Sequence, residues 1–234
     1  EFDYSQIELR VAAFLSGDKK LIDIFKSGRD VHTEVAARVF KVPAENVDKE
    51  MRRRAKIINF GILYGMGVNA LRTNLGTDRA EAQKFYDEYF ATFNELADYL
   101  ERVKTETAKR GYTETFFGRR RYFEGIKSKL PFVRATAERM AINAPIQGTG
   151  ADIIKVAMIQ IDHYLVKNNL EKDVYQLLQV HDSLVCEIRD NKIAEVAPEI
   201  RKIMAGVLML KDTDGVPLAT HSSVGPNWGD MKDL

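Results

Sequence analysis

Four residues spaced four apart carry the most specific chemical pattern in the sequence. They are Arg52, Lys56, Phe60 and Tyr64. In an α-helix each step of four residues advances by about 40°, so the four side chains share one face about 120° wide and about 18 Å long. Two cations at one end suit phosphate groups, and two aromatic rings at the other end suit a base or a sugar. The spacing therefore predicts a helix that binds a nucleoside triphosphate.

An amphipathic helix with Phe60 and Tyr64 in the protein core is the alternative explanation of this spacing. It is weakened because a second set of residues already supplies an apolar face: Ile57, Ile58, Ile62 and Leu63. Gly61 also lies within the predicted helix, where glycine is less favourable than alanine by about 1 kcal/mol. We therefore expect another group to pack closely against Gly61.

Two carboxylates lie at the ends of predicted strands. Asp182 stands between two apolar runs within residues 174–188, and Asp3 follows Phe2. Each has a purely structural explanation, since aspartate is common in turns and Asp3 could cap a helix over residues 5–15. Together they could hold two Mg²⁺ ions for phosphoryl transfer, because hard cations prefer oxygen ligands. Sequence spacing alone does not show whether Asp3 and Asp182 meet.

A third pattern lies just before Gly148, where Arg139, Asn143 and Gln147 recur every four residues. These side chains can donate hydrogen bonds to the acceptors of a DNA minor groove. An exposed polar helix face is the alternative explanation. The basic run that precedes these residues favours contact with duplex DNA.

The formal net charge of +1 hides two basic clusters. Residues 49–56 contain five basic residues and one acidic residue, and residues 119–139 contain seven basic and two acidic residues, so the rest of the chain is net acidic. Clustered cations are typical of phosphate-binding surfaces, although two solvated helix faces would give the same pattern. A net charge near zero therefore does not exclude nucleic-acid binding.

The composition is that of a folded protein, with 45% hydrophobic residues among 234, enough for a buried core. No apolar run is long enough to span a membrane, and no signal peptide is evident. The single cysteine, Cys186, excludes an internal disulfide framework and a multi-cysteine zinc site, and it fits a reducing, intracellular setting. The start at Glu1 rather than at a methionine suggests a fragment or a processed chain.

Helical periodicity dominates the secondary-structure pattern. Helices are predicted over residues 18–28, 31–41, 46–65, 78–110, 131–168 and 191–209. Asp18 and Asp30 are expected to be N-caps, and Pro145 is expected to kink or break its helix. Hairpins are predicted at residues 112–123 and 174–188, with a further strand after Val216. A few strands among many helices indicate the α+β class.

Several segments resemble the family A DNA polymerases, of the bacterial DNA polymerase I type. DYSQIELR (3–10), RRRAKIINFGILYG (52–65) and QVHDSLV (179–185) look like motifs A, B and C of that family. ERMAINAPIQGTGADIIK (138–155) and TFFGRRRY (115–122) are similar to further segments of the family. The order and spacing match over essentially the whole chain.

The resemblance implies the fingers and palm of a right-hand polymerase fold, mostly helical with an antiparallel palm sheet. Residues 1–14, with motif A, and 131–234, with motif C at 179–185, would form the palm. Residues 15–130 would form the fingers, with the motif B helix at 46–65. The thumb is expected to be absent from this chain.

The implied activity is that of a DNA-directed DNA polymerase in replication or repair. It transfers a nucleotide from a dNTP to a primer 3′-OH by a two-metal mechanism. By the resemblance, Asp3 and Asp182 would bind two Mg²⁺ ions, for which Mn²⁺ could substitute, and the backbone carbonyl of Tyr4 would complete the metal site. Lys56 would protonate the departing pyrophosphate.

The resemblance also implies which residues bind the nucleotide and the DNA. Arg52 and Lys56 would grip the triphosphate with help from His32. Phe60 would pack on the sugar and base, and phenylalanine rather than tyrosine there implies discrimination against dideoxynucleotides. Glu8 would act as a steric gate against the ribose 2′-OH, and Tyr64 would stack at the insertion site. The implied primer-template contacts are Arg139, Asn143 and Gln147, with His181 at the primer terminus.

Two features depart from the family pattern. Motif C usually ends His-Asp-Glu, whereas this chain has Ser183 after Asp182, so a third acidic group beside the metals is missing and metal affinity or rate is expected to be lower. The chain also begins two residues before Asp3, so an N-terminal thumb and palm portion would have to come from the same or another polypeptide.

Two hypotheses about function therefore stand. The chain is the C-terminal part of a polymerase catalytic domain, or it is a non-catalytic fragment or subunit that binds nucleotide or nucleic acid and needs a partner chain for activity. The expected partners are primer-template DNA and dNTP, with no membrane. The expected location is the cytoplasm, in the bacterial nucleoid or as a bacteriophage protein in its host.

Overall fold

The computed structural model describes all 234 residues and contains seven β-strands and nine α-helices. The strands are β1 (Phe2–Tyr4), β2 (Tyr112–Glu114), β3 (Arg120–Tyr122), β4 (Val174–Val180), β5 (Ser183–Ile188), β6 (Thr220–Val224) and β7 (Lys232–Asp233). The helices are α1 (Ile7–Ser16), α2 (Lys19–Lys26), α3 (Val31–Phe40), α4 (Lys49–Leu63), α5 (Val68–Leu75), α6 (Arg79–Thr92), α7 (Asn94–Arg110), α8 (Pro131–Lys167) and α9 (Ile193–Ala205). The predicted α+β class is confirmed. None of the helices combines the length and the hydrophobicity that crossing a membrane requires.

The chain divides into two compact units. The sheet unit comprises Glu1–Ile7, Thr149–Thr213 and Pro217–Leu234, and the helical unit comprises Glu8–Gly148 and Asp214–Val216. The two units are defined only by which residues pack together, and not by function. The assignment of palm and fingers to particular residue ranges therefore stays a prediction.

The sheet unit contains a five-stranded antiparallel sheet with the strand order β4-β5-β1-β6-β7. Strand β1 lies at its centre, with Phe2 and Tyr4 buried and the Tyr4 hydroxyl donating to the carbonyl oxygen of Met204 at 2.8 Å. Because successive residues of a strand face opposite sides of a sheet, Asp3 points away from the face that buries Phe2 and Tyr4. Asp3 therefore does not cap a helix, since α1 begins only at Ile7.

The predicted hairpin over residues 174–188 is confirmed, with β4 and β5 joined by a two-residue turn. Val180 pairs with Ser183, and the turn consists of His181 and Asp182. His181 has a φ of 52°, a left-handed conformation that is uncommon for residues other than glycine. The side-chain amide of Gln179 donates to the His181 carbonyl oxygen at 2.7 Å and so braces this conformation. The smaller predicted hairpin is also present, as β2 paired with β3 in the helical unit.

The two predicted N-caps are confirmed in the helical unit. Asp18 accepts hydrogen bonds from the backbone N–H groups of Lys20 and Leu21 at the start of α2, and Asp30 accepts one from Thr33 at the start of α3. Asp18 is completely buried, and its second oxygen accepts a hydrogen bond from the Leu96 backbone N–H at 3.3 Å. One carboxylate therefore satisfies orphan donors in the first turns of both α2 and α7.

The prediction of one helix over residues 78–110 is wrong, because the segment forms α6 and α7 with a break at Phe93. This residue has φ −113° and ψ 66°, outside the helical region, and its side chain is fully buried. The Phe93 ring lies 5.0 Å from the Tyr89 ring, centre to centre. The break buries an aromatic ring and exposes the N–H groups of α7 to Asp18, which compensates for the interrupted helical hydrogen bonds.

Pro145 was predicted to kink or break its helix, and the structure excludes the break. Helix α8 continues through Pro145 to Lys167. A proline removes one backbone hydrogen bond and crowds the preceding turn. Here Ala144, Pro145 and Ile146 are all buried, and most helix stability in proteins comes from such tertiary packing.

Replacement of Asp18 by alanine is expected to destabilise the protein by about 2–3 kcal/mol, because the buried N–H groups of two helices lose their acceptor. Urea unfolding measures this change. Asp78→Ala is the matched control, since Asp78 is exposed and caps only α6 through the Glu81 N–H, and it should cost about 0.5–1 kcal/mol. Equal losses in the two variants would contradict the double-capping role of Asp18.

Candidate functional site

Helix α4 positions the four residues that were predicted to bind a triphosphate. It begins after the N-cap Asp48, whose carboxylate accepts a hydrogen bond from the Met51 N–H at 2.7 Å, and it buries Ala55, Ile58, Ile62 and Leu63 on one face. The helix is shorter than the predicted range of 46–65, because a 3₁₀ turn at Ala44–Asn46 precedes it. The buried face fixes the rotation of α4 and so determines which residues face outward.

The opposite face of α4 carries the two cations and two aromatic rings that were predicted to share one face. Arg52 and Lys56 are exposed, Phe60 is half-buried, and Tyr64 is 42% exposed. Tyr64 is the residue just after the helix, and its ring is stacked on that of Phe60 with 6.2 Å between centres and 25° between planes. The alternative that Phe60 and Tyr64 form part of the core is therefore wrong.

Arg52 is held by Asp30, a contact that the sequence did not predict. The Arg52 guanidinium donates Nε to Oδ1 of Asp30 at 3.0 Å and Nη2 to Oδ2 at 2.8 Å. Burial alone would raise the pKa of Asp30, but hydrogen bonds from Arg52 and Thr33 outweigh it and lower the pKa to about 2. Asp30 was predicted only as an N-cap, and nothing in its sequence position pointed to Arg52.

The remaining cations of this helix differ in their pairing. Arg53 and Arg54 both bond to Glu50 on the preceding turn, so much of the first basic cluster is neutralised locally. Lys56 is exposed and forms no ion pair within the chain. It is therefore the cation of this face that is most available to an external anion.

His32 lies beside this face, buried to 3% exposure. Its ring nitrogen Nδ1 is 2.9 Å from the side-chain nitrogen of Asn59, and its ring centre is 5.7 Å from that of Phe60. Burial lowers the pKa of His32 to about 4, and the positive charges of Arg52 and Lys56 contribute against the opposing effect of Asp30. His32 is therefore neutral at pH 7. Asn59 was not predicted to be a site residue. A polar residue on the apolar face of α4 is unusual, and this could have pointed to it.

Glu8 and Tyr64 meet, although they lie 56 residues apart in the sequence. The Tyr64 hydroxyl donates to Oε2 of Glu8 at 2.7 Å. The resemblance implied a role for each residue, but nothing predicted this hydrogen bond. It fixes the carboxylate of Glu8 next to the aromatic end of the α4 face.

Two glycines set the end of α4. A Cβ built on Gly61 would lie 3.0 Å from the Met66 sulfur, which confirms the expected close packing. Gly65 has a φ of 70°, and a Cβ there would lie 2.9 Å from Ile142 Cδ1. The chain can therefore turn sharply after Tyr64 only with glycine at position 65.

Asp3 and Asp182 are neighbours in the sheet unit. Asp3 pairs with Ser183 across β1 and β5, and the Tyr4 N–H donates to the Asp182 carbonyl oxygen at 3.1 Å. The two carboxyl groups are close enough for Asp182 to raise the pKa of Asp3. Burial, and then the negative charge of Asp182, raise the pKa of Asp3 to about 6. Antiparallel pairing thus brings together two carboxylates that are 179 residues apart in the sequence.

This pair fits a magnesium site. Two close carboxyl groups repel when both are ionised, and a divalent cation between them removes that repulsion. No group of three or more histidine, cysteine or acidic side chains in the chain is arranged so that it could hold a metal ion. Mg²⁺ is commonly bound by one or two carboxylates together with waters and substrate phosphates, so Asp3, Asp182 and a backbone oxygen such as that of Tyr4 are a sufficient protein set.

Ser183 has a structural role at the position where an acidic residue was expected. It is buried, and its hydroxyl donates to the Val180 carbonyl oxygen at 3.2 Å. This bond closes the β4–β5 turn that carries Asp182. The serine thus supports the position of Asp182 without adding negative charge.

The predicted DNA-binding residues on α8 lie in the part of that helix that belongs to the helical unit. Arg139 and Gln147 are exposed, and Asn143 is half-buried. The side-chain oxygen of Asn143 is buried and has no hydrogen-bond partner within the protein. An unpaired buried amide oxygen is unfavourable by about 1–3 kcal/mol, so it is a natural place for a ligand or water to bind.

The predicted site residues therefore divide between the two units. Glu8, His32, Arg52, Lys56, Phe60 and Tyr64 come together in the helical unit, which also contains Arg139, Asn143 and Gln147. Asp3, Tyr4, Asp182 and His181 belong to the sheet unit, with His181 exposed at the tip of the β4–β5 turn. Each group is locally assembled by its own unit.

Comparison with known proteins identifies the family. The sequence model of DNA polymerase family A matches residues 1–230. DNA polymerase I of Pseudomonas aeruginosa is 46% identical over 226 residues, which are 97% of this chain and 24% of that protein. The thermostable DNA polymerase I of Thermus aquaticus is 46% identical over 231 residues, which are 99% of this chain and 27% of that protein. The chain belongs to DNA polymerase family A.

A solved structure supports the same fold. The POL domain of Pol1 from M. smegmatis, in complex with DNA primer-template and dNTP, matches with a TM-score of 0.88 and 42% identity. The match covers 94% of this chain and 38% of that domain's chain. Of the two DNA polymerase I relatives named above, the chain spans about a quarter of the length.

Proposed function

We propose that this chain is the C-terminal part of a polymerase catalytic domain, and that the full-length protein carries out template-directed DNA synthesis with primer-template DNA and dNTP as substrates. The observation that carries the proposal is the outward face of α4, where two cations, Arg52 and Lys56, are followed by two aromatic rings, Phe60 and Tyr64. This order suits a triphosphate followed by a sugar and a base. Because the chain belongs to DNA polymerase family A, the reaction that we assign to this face is the addition of a nucleotide to a primer.

In this proposal the cations of the helical unit bind the triphosphate. Lys56 is exposed and unpaired, so it meets the phosphates directly and is placed to protonate the departing pyrophosphate. Arg52 donates two hydrogen bonds to Asp30, which orient its guanidinium group. Its remaining N–H groups are left to donate to a phosphate oxygen. Neutral His32 adds a hydrogen-bond donor rather than a charge.

The aromatic end of the same face selects the nucleotide. Phe60 packs on the sugar and base, and Tyr64 stacks where the new base pair forms. Glu8, held by the Tyr64 hydroxyl at 2.7 Å, occupies the space that a ribose 2′-OH would need. A held carboxylate excludes a larger sugar more strictly than a mobile one, because moving it would break a charge-assisted hydrogen bond.

The carboxylate pair of the sheet unit would hold Mg²⁺ through Asp3 and Asp182, with the Tyr4 carbonyl oxygen. When bound, the metal ions lower the pKa of the primer 3′-OH and stabilise negative charge on the transferred phosphate. The protein's part is to fix the two carboxylates, which it does through the β1–β5 pairing and the Ser183 hydrogen bond. Arg139, Asn143, Gln147 and His181 would contact the primer-template.

Primer extension with the full-length protein tests this function. A labelled primer on a template, with dNTPs and Mg²⁺, should be extended according to the template sequence, and EDTA should stop the reaction. Mn²⁺ in place of Mg²⁺ should restore it. Tight DNA binding without any extension would instead support the alternative, a binding subunit that needs a partner chain for catalysis.

Phe60→Tyr is expected to relax discrimination against dideoxynucleotides by about tenfold or more. A phenyl ring offers no hydrogen bond to compensate for the missing 3′-OH, whereas a tyrosine hydroxyl supplies one, and a single such bond corresponds to about a tenfold change. The ratio of ddNTP to dNTP incorporation in single-nucleotide extension measures the effect.

Phe117→Tyr is the control for the added hydroxyl, since Phe117 is an exposed phenylalanine that lies outside α4. It should leave the ddNTP to dNTP ratio unchanged. A Phe60→Tyr enzyme with the wild-type ratio would show that the ring at position 60 does not contact the sugar.

A further inference from the structure

The contact between Asn59 and His32 is unexplained by the roles assigned so far. Asn59 is completely buried on the apolar face of α4, where its neighbours Ile58, Ile62 and Leu63 form the core. Its side-chain nitrogen lies 2.9 Å from Nδ1 of His32, on α3. A buried amide in such a position is unfavourable unless it is fully hydrogen-bonded.

Asn59 is not fully hydrogen-bonded. Its side-chain oxygen is buried and has no partner. An apolar residue of similar size would avoid this unpaired oxygen, and it would also pack against the surrounding isoleucines and leucine. Core stability therefore does not account for asparagine at position 59.

The hydrogen bond has a chemical consequence for the His32 ring. With the amide nitrogen of Asn59 facing the ring, the amide is the donor, and Nδ1 is the acceptor and carries no proton. In a neutral imidazole the proton is then on Nε2. The protein makes its only hydrogen bond to this ring at Nδ1, and Phe60 borders the ring at 5.7 Å, so the orientation of the ring is also fixed.

We propose that Asn59 is a positioning residue that holds His32 in the Nε2–H form and aims this donor at the triphosphate of the incoming nucleotide. The inference rests on the proposed function of His32. It adds a residue that touches no substrate and acts only through the histidine. A neutral donor contributes directional recognition of a phosphate oxygen, while Arg52 and Lys56 supply the charge.

Three variants of the full-length polymerase test this role by kinetics: Asn59→Leu, His32→Leu and the double variant. Asn59→Leu should raise the dNTP KM by about fivefold to twentyfold and change kcat by less than about threefold, because only nucleotide binding is affected. In the double variant, Asn59→Leu should add nothing to the effect of His32→Leu. Asn168→Leu, which removes an exposed amide just after the end of α8, should have the wild-type KM.

The protonation state of the ring gives a second readout. Long-range ¹⁵N–¹H correlation spectra, with His32 assigned by its absence in His32→Leu, should show the proton on Nε2 in the wild type. Asn59→Asp should move a proton onto Nδ1, since a carboxylate can only accept a hydrogen bond. Thermal unfolding of Asn59→Leu checks that the variant is folded.

The proposal is overturned if the wild-type ring carries its proton on Nδ1, if Asn59→Asp leaves Nδ1 without a proton, or if the KM effects of Asn59→Leu and His32→Leu are additive. These results would leave the proposed polymerase function standing as long as the wild type extends primers. Loss of primer extension in the wild type would instead remove the proposed function itself.

Discussion

Asp182→Asn is expected to reduce primer extension by the full-length polymerase by at least about 10³-fold, and Asp3→Asn should do the same. Asparagine keeps the size of the side chain and can still hydrogen-bond, but it removes one of two negative charges that a divalent cation requires. A loss of this size corresponds to about 4 kcal/mol of transition-state stabilisation. Single-turnover extension at saturating DNA and dNTP measures it.

The controls separate metal binding from folding and DNA binding. Asp190→Asn alters an exposed aspartate in the same unit and should leave the rate unchanged. DNA affinity of Asp182→Asn should stay within about threefold of wild type, since removing one negative charge does not weaken contacts to phosphates. Extension within tenfold of wild type in either Asp3→Asn or Asp182→Asn would refute the metal assignment.

Glu8→Ala should produce the second large effect, raising the ratio of ribonucleotide to deoxynucleotide incorporation by about 10- to 100-fold. The expected change corresponds to relief of about 1–3 kcal/mol of steric overlap with a 2′-OH. Competition between rNTP and dNTP in single-nucleotide extension gives the ratio directly.

Two further variants distinguish bulk from charge at this position. Glu8→Gln keeps the volume and should stay close to the wild-type ratio. Tyr64→Phe removes the hydroxyl that bonds Glu8 at 2.7 Å and should raise the ratio less than Glu8→Ala does, because the carboxylate becomes mobile but remains present. If Glu8→Ala shows an unchanged ratio, the gate role is wrong.

The parts of the fold that the sequence predicted correctly are those governed by local rules. The N-caps Asp18 and Asp30, the exposed face of α4 and the β4–β5 hairpin all follow from residue type and spacing within one element. Periodicity also showed correctly that Phe60 and Tyr64 lie outside the core. Local patterns suffice for such features because each depends on neighbours in the chain.

The errors arose where distant residues decide the structure. The break at Phe93 depends on burial of its ring and on Asp18, which lies far away in the sequence. Pro145 stays within α8 because burial of its turn in the folded protein outweighs the missing hydrogen bond. Neither effect is visible in a window of ten or fifteen residues.

The candidate site shows the same division. The sequence was enough to propose which residues belong to the candidate site, but it did not predict the contacts that orient them. Asp30 to Arg52, Tyr64 to Glu8 and Asn59 to His32 each join separate elements. Such contacts depend on tertiary geometry, which a single sequence does not specify to within a hydrogen-bond length.

The shared cap at Asp18 has a consequence for how the helical unit opens. Its carboxylate bonds the N–H groups of Lys20 and Leu21 and, 78 residues later in the chain, that of Leu96. Fraying of α2 therefore weakens the first turn of α7, and the reverse is also true. The slow-exchanging amides at these two helix starts should share one opening free energy, so the two distant segments form a single cooperative unit of native-state hydrogen exchange.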